Sequence, residues 1–380
     1  MSKDPRASLI RAAADAVEKK HKGLLAGSAE ELLQEREPTV FVSTGSYALD
    51  RICAGKLPGG LPLGPLQGRV IHVAGSWSSG KSLLLDHLFK STVDAGGLAL
   101  CSEAEGSRVA YFAKIIGLDL SRVHLQYPST LEEVFDAGLS WHDAIRAHPG
   151  GETVPILWGL DSLNANETER VAGKGLGDSG GWHYGGGVSE ALTAGLRKVV
   201  RACIRYPTTF VMLNQTRDAI GMVYGPKKIT PGGQAPHFYA SIELMLSPSV
   251  LGVERATPVK LAASEKTRKA LGLPKVDVGD VVGQWVTAHV TKTKVASTFN
   301  RKAHFLVNFH RGVHRWAGLL QVLMQEGVVS LTPDKAVVQG ERHFASVRDW
   351  VNACVQDPSL LGETRRTRDA ADTEASTEHP

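Results

Sequence analysis

A chain of 380 residues is long enough for one large domain with appendages, or for two domains. Hydrophobic residues make up 42% and charged residues 22%, an ordinary globular balance, and the formal charge of +4 permits a nucleic-acid partner without demanding one. No window is apolar enough to span a membrane and the start, MSKDPRASLIRAAADAVEKKH, lacks the apolar stretch of a signal peptide, so a cytoplasmic protein with no membrane partner is expected. The four cysteines (Cys53, Cys101, Cys203, Cys354) are far apart and form no CxxC pair, which argues against a disulfide framework or a zinc site and fits reduced thiols.

In chain order, residues 5–20 read as a short amphipathic helix with Leu9, Ile10, Ala13 and Val17 on one side. Gly23 and the polar run to Glu37 read as a connector. From about Val40 to Leu246, short β-branched runs alternate with helical stretches. Residues 69–74 precede a helix at 81–93, residues 98–101 precede one at 108–116, and residues 210–213 follow one at 188–204. This alternation predicts an α/β fold with a mostly parallel twisted sheet and helices on both faces. Two glycine-rich stretches, 173–187 and 221–233, interrupt it and read as loops. Residues 283–309 carry two further strand-like runs. From Trp316 to Leu361 the pattern turns mainly helical again, and 310–361 is taken as a small C-terminal α/β domain. Residues 362–380 form a tail that holds Asp369, Asp372, Glu374 and Glu378 after its last basic residue, and it is expected to be disordered.

The strongest local signal is residues 75–82, Gly75-Ser76-Trp77-Ser78-Ser79-Gly80-Lys81-Ser82, which match GxxxxGK[ST]. An apolar run precedes the motif, and a helix with Leu83, Leu84, Leu85 and Leu88 follows it, as a P-loop requires. The glycines allow backbone N–H groups to turn around phosphates, and the helix N-terminus adds its positive end. Lys81 would reach the β- and γ-phosphates of ATP, and the Ser82 hydroxyl would ligate Mg²⁺. A P-loop needs a second carboxylate at a neighbouring strand end, and Asp161 closes the apolar run 156–160. Pro155 and Gly159 weaken that run as a central strand. A second strand, 98–101, leads into Glu103 and Glu105; a Glu near the γ-phosphate could act as general base on water, whereas an acidic strand end can also simply be solvated.

Taken in order, these segments resemble the bacterial RecA recombinases. VSTGSYALD (42–50) and GGLPLG (59–64) look like the family's entry into its ATPase core, and the P-loop follows at the expected distance. SEAEGSRVAYFAKIIGLD (102–119) resembles the segment that carries the catalytic Glu, which falls on Glu105, and an adenine-stacking aromatic, which falls on Phe112. NQTRDAIGMVYGPKKITPGGQAPHFYAS (214–241) resembles the second DNA-binding loop, from the Asn-Gln that opens it to the Gly232-Gly233 that closes it. Gly177-Asp178-Ser179 sits where the first DNA-binding loop would be, with Trp182, His183 and Tyr184 beside it. TKTKVASTF (291–299) resembles the paired lysines that reach a neighbouring subunit's nucleotide, which fall on Lys292 and Lys294.

The resemblance implies a RecA-like P-loop ATPase core over 34–309, with DNA-binding loops near 164–187 and 216–233 and an oligomerisation arm over 1–33. It implies ATP and Mg²⁺ as cofactors, single- and double-stranded DNA as partners, and a homo-oligomeric helical filament. In this reading Gln215 senses the γ-phosphate at the start of a mobile loop. Arg217, Lys227 and Lys228 contact DNA phosphates, and Ile220, Met222, Val223 and Tyr224 wedge between or stack on bases. The chain departs from the family in a longer first loop, in Trp77 within the P-loop, in His237 where a lysine is usual, and in a basic segment at 252–282. The function expected is an ATP-dependent homologous DNA recombinase acting in repair by strand pairing and exchange. An accessory or regulatory RecA-like DNA-binding protein, or a hexameric helicase, remains open at this stage.

Overall fold

The computed structural model describes residues 5–21, 26–35, 41–55, 61–62, 69–106, 108, 110–172, 187–218, 228–248, 258–260 and 281–361. Met222, Tyr224 and Lys227, the first glycine-rich loop from 173 to 186 with Trp182, His183 and Tyr184, most of the basic segment, and the tail lie outside them.

The chain opens with α1 (Pro5–Lys20) and continues into α2 (Ala29–Glu35), a helix inside the stretch expected to be a plain connector. Its first turn carries Glu30 and Glu31, which favour a helix N-terminus through its partial positive charge. Next come β1 (Phe41–Val42) and α3 (Tyr47–Ala54), whose N-cap hydroxyl, Ser46 Oγ, accepts from Leu49 N and whose chain ends at left-handed Gly55. After β2 (Leu61–Pro62), which pairs with β1, the α/β core begins. It runs β3 (Val70–Gly75), α4 (Lys81–Asp94), β4 (Leu98–Glu103), α5 (Ala110–Ile116), β5 (Val123–Gln126), α6 (Leu131–Ala147) and β6 (Ile156–Asp161). A short α7 (Glu169–Ala172), α8 (Val188–Arg205) and β7 (Thr208–Gln215) follow. A two-stranded ribbon, β8 (Arg217–Asp218) with β9 (Lys228–Ile229), leads to α9 (Ala235–Tyr239) and β10 (Ile242–Pro248). Then come β11 (Pro258–Lys260), the long β12 (Val281–Thr293), β13 (Lys302–Asn308) and β14 (Gly312–Val313).

The main sheet has the order β14-β13-β12-β10-β3-β7-β6-β4-β5, with β11 on β12. From β10 to β5 every pairing is parallel, and the β12 side is antiparallel. The strands β3, β6 and β7 lie at the centre with helices on both faces, so their residues are buried almost end to end, as expected for a covered parallel sheet. One face packs α4 and α3 through Leu84, Leu88, Phe89 and Ile52. The other packs α6 and α8 through Phe135, Leu192, Leu196 and Trp158.

The C-terminal segment holds α10 (Leu319–Gln325), the antiparallel strands β15 (Ser330–Leu331), β16 (Val337–Gln339) and β17 (Arg342–Phe344), and α11 (Val347–Gln356). It contains more strand than its helical pattern suggested. Leu319, Val322, Val337 and Trp350 join the same apolar cluster as α3 and α4. Buried Arg51 of α3 clamps it further, donating to Glu326 Oε2 at 2.8 Å and to Leu361 O at 3.1 Å. No helix among the described residues is long and apolar enough to cross a membrane.

Candidate nucleotide-binding and catalytic site

Because β3, β7, β6 and β4 are parallel neighbours, their C-terminal ends open on one side of the sheet, where ligands bind in folds of this kind. The turn after β3 is built by close approach. A Cβ on Gly75 would stand 2.6 Å from Leu246 O and 2.7 Å from Ser79 Oγ. The turn then passes through left-handed Ser78 (φ 54) and Gly80 (φ 82) into α4. A cleft of about 500 Å³ lies beside it, lined by Trp77, Ser78, Ser79, Gly80, Lys81, Ser82 and Leu83 on one side. Glu105, Phe112, Asp161 and Gln215 line it as well, so this set of sequence-predicted residues converges.

Lys81 folds over the turn and donates to Gly75 O at 3.2 Å and Ser76 O at 2.8 Å. Burial lowers its pKa, while Asp161 and Glu105 act in the opposite sense. Trp77 is 76% exposed at the lip, open to a ligand or a second chain.

Asp161 is buried at the end of β6, and burial raises its carboxyl above the ordinary value. The Ser82 hydroxyl and the guanidinium of Arg108 pull the other way. A buried carboxylate against a hydroxyl is a hard oxygen donor pair that fits Mg²⁺. The arginine is itself a cation on that carboxylate, with Nη1 3.6 Å from Asp161 Oδ2, and it also pairs with Asp86 of α4. Glu105 is exposed to the cleft and accepts from Ser162 Oγ at 2.6 Å. Glu103 is buried behind it and accepts from Glu105 N at 3.1 Å.

Gln215 ends β7 directly beside Gly75, and its carbonyl accepts from Asn164 Nδ2 at 3.0 Å. Its neighbour Asn214 is buried and donates to Pro231 O at 2.9 Å. The polar end of β7 is therefore tied to both ends of the 216–233 segment. The segment's base is the ribbon that pairs Arg217 with Ile229 and Asp218 with Lys228. Gly232 (φ 96) and Gly233 (φ 66) close it in the left-handed region that only glycine takes readily.

The structure does not bring Lys292 and Lys294 to this cleft. Gln284 of the same β12 does line it, donating to Ser78 O. Eight residues of extended strand, roughly 26 Å, separate Gln284 from Lys292. Lys292 instead donates to the carbonyls of His237 and Phe238. Cleft residues that the sequence did not single out are Asp86, Arg108, Ser162, Gln284, Val307 and Phe309. Arg108 carried a signal, a cation just beyond an acidic strand end; Gln284 and Phe309 carried none.

A glycine-rich turn between a buried parallel strand and a helix, faced by a carboxylate on a neighbouring strand end, defines a P-loop nucleotide-binding protein of the α/β class. Within that class the RecA N-terminal domain family matches residues 9–314, and the chain belongs to the RecA family. That family consists of DNA-dependent ATPases that bind ATP with Mg²⁺. The protein called Protein RecA from Streptomyces venezuelae is 28% identical over 331 residues, covering 87% of this chain and 76% of its own. Its counterpart from Rubrobacter xylanophilus is 28% identical over 288 residues, 76% and 71% of the two chains. That from Acidothermus cellulolyticus is 27% identical over 333 residues, 88% and 84%.

Proposed function

We propose that this chain is an ATP-dependent homologous DNA recombinase that assembles as a filament on single strands and promotes pairing and exchange in recombinational repair. The observation that carries the reading is the joint at the end of β7. Gln215 lines the nucleotide cleft, and the adjoining Asn214 holds Pro231 at the far end of the 216–233 segment. A change at the nucleotide has only one residue to cross to reach a loop that opens with Arg217 and contains Lys227 and Lys228.

In this reading Lys81 exchanges its contacts with the turn carbonyls for the β- and γ-phosphates. Ser82 and Asp161 would hold Mg²⁺, which would neutralise phosphate charge when bound. Glu105 takes the proton from an attacking water, with Ser162 fixing the carboxylate's orientation. Lys292 and Lys294, which do not line their own cleft, would complete the cleft of a neighbouring copy.

The test is ATP turnover with and without single-stranded DNA, followed by strand exchange between a single strand and a homologous duplex. Turnover stimulated by DNA together with joint-molecule formation is expected. DNA binding should weaken steeply with salt, and neutralising Lys227 or Lys228 should each lower the salt slope by roughly one unit. Stimulated turnover without exchange would reduce the protein to an accessory DNA-binding ATPase, and a flat salt response would remove the 216–233 segment from the DNA interface.

A further inference from the structure

Behind the P-loop, on the face of β3 opposite Ile71 and Val73, a second polar cluster uses none of the residues placed in the nucleotide cleft. His72 lies in mid-strand and is fully buried. Glu243 comes from the adjacent β10 and is 5% exposed. His237 comes from α9, at the end of the segment closed by Gly232 and Gly233, and is half-buried. We propose that His72, His237 and Glu243 form a binding site for a divalent transition-metal ion, zinc by its donor set, that ties the closing end of the 216–233 segment to the P-loop strand.

The geometry is compact. His237 Nδ1 lies 2.6 Å and His72 Nδ1 3.5 Å from the same oxygen, Glu243 Oε2. The two imidazoles stand edge to face with centroids 5.3 Å apart, and one ligand atom from each of the three residues falls within 4.8 Å of the others. Two imidazoles and a carboxylate are a donor set that zinc takes in open, four-coordinate sites. His72 Nδ1 is buried and meets Glu243 Oε2 only at 3.5 Å, too long for a good hydrogen bond, which is explained if both atoms are ligands of one ion.

The outer contacts are those that metal ligands use to fix their orientation. Thr230 Oγ1 lies 3.0 Å from His237 Nε2, leaving Nδ1 for the ion. Thr291 Oγ1 donates to Glu243 Oε1 at 2.8 Å, leaving Oε2 for it. A shallow cavity lined by Gln234, His237, Phe238, Glu243, Thr291 and Lys292 opens onto the site, giving an entry path and room for a water as fourth ligand. The Lys292 ammonium beside this cavity donates to the carbonyls of His237 and Phe238.

Occupancy has a consequence for the loop. An ion on His72 Nδ1 moves that ring's proton to Nε2, which lies 3.3 Å from Asn214 Nδ2, so two donors would then face each other. Turning the Asn214 amide over presents Oδ1, itself buried without a partner, to the new N–H. The same turn withdraws the N–H that Asn214 gives to Pro231 O. The ion therefore replaces one anchor of the segment, the Asn214 amide, with another, His237.

The site can be read without DNA or activity. Full-length protein stripped by a chelator and then held with MgADP, so that the nucleotide cleft is filled, is titrated with Co²⁺ and then with Zn²⁺. One equivalent of Co²⁺ is expected, with the intense visible bands of a four-coordinate ion, and Zn²⁺ should bleach them. His237→Gln keeps a polar edge toward Thr230 at a half-exposed position, and with Glu243→Gln it should weaken binding by at least about 10²-fold, the upper range for losing an outer-shell partner. His148→Gln, at an exposed histidine elsewhere, should change nothing. No stoichiometric Co²⁺ binding by the parent protein would overturn the proposal whatever the variants do. Parental affinity in both ligand variants, with folding confirmed by circular dichroism, would overturn it equally.

Discussion

At the scale of single residues, the cleft divides into what one stretch of chain encodes and what two distant stretches make together. The P-loop was legible because its glycines, Lys81 and Ser82 act within one turn. Asp161 was legible because an apolar run ending in a carboxylate is a strand end with a charge. Arg108 paired with Asp86 and Asp161 was not, because the pairing depends on how α4 and the end of β4 pack. The same holds for His72, although a histidine in the middle of an apolar strand already required a buried partner. Two predictions belong here. Glu105→Gln should leave nucleotide binding intact and slow hydrolysis by roughly 10²–10⁴, the usual contribution of a general base. Damage from Glu103→Gln in single-turnover assays, with Glu105→Gln silent, would move the base to the buried carboxylate. The second concerns pH. Asp161 must be ionised to hold the metal; burial raises its pKa and Arg108 helps to lower it. Removing the arginine alone would strand Asp86 as a buried unpaired charge, so Asp86 and Arg108 should be replaced together by leucine. Without Arg108 the Asp161 pKa rises further, so MgADP affinity should fail at a higher pH as solutions are acidified. Superimposable acid limbs for parent and double variant would show that Arg108 does not act on Asp161.

At the scale of elements, the strands of the core follow the expected order, and their ends extend by a residue or two beyond the sequence reading. The instructive case is β6, where Pro155 and Gly159 argued against a central strand. Pro155 lies just outside the strand, and its carbonyl still accepts from Leu98 N at 2.9 Å. Gly159 is inside it because α4 lies too close for a side chain. A Cβ there would stand 2.7 Å from Leu85 Cδ1 and 2.8 Å from Phe89 Cζ. A local rule counted the glycine as a weakness, whereas the packing of a helix on the sheet requires it, and that requirement is invisible until α4 is in place. Gly159→Ala should therefore destabilise the fold by about 1–3 kcal/mol through overpacking, despite the better strand propensity of alanine. Chemical denaturation would measure it, and a variant as stable as the parent would mean that α4 can shift without loss.

At the scale of the whole molecule, α1 sets the remaining problem. Sixteen residues are marginal as an isolated helix in water, because nucleation is costly, so an apolar side normally needs a partner. Here Leu9, Ile10 and Val17 are 69%, 52% and 39% exposed. Polar contacts join α1 to the following segment: Arg11 Nη2 lies 3.6 Å from Glu31 Oε1, and Ala26 N donates to Glu18 Oε1 at 2.9 Å. An exposed ion pair of this kind contributes little. The arm proposed for residues 1–33 would bury these exposed apolar side chains on another copy. Lys292 and Lys294 do not line the chain's own cleft, which is compatible with the role proposed for them at a neighbouring copy's nucleotide. A contact in which one surface meets a different surface on the next copy need not close, and repeated it yields an open helical filament. Deleting residues 1–33 should then leave a folded, nucleotide-binding monomer that cannot form filaments and has lost most DNA-stimulated turnover. Sedimentation and electron microscopy with ATP and single-stranded DNA would decide it. Long filaments from the truncated protein would sink the arm assignment, and closed rings from the intact chain would favour a helicase-like assembly.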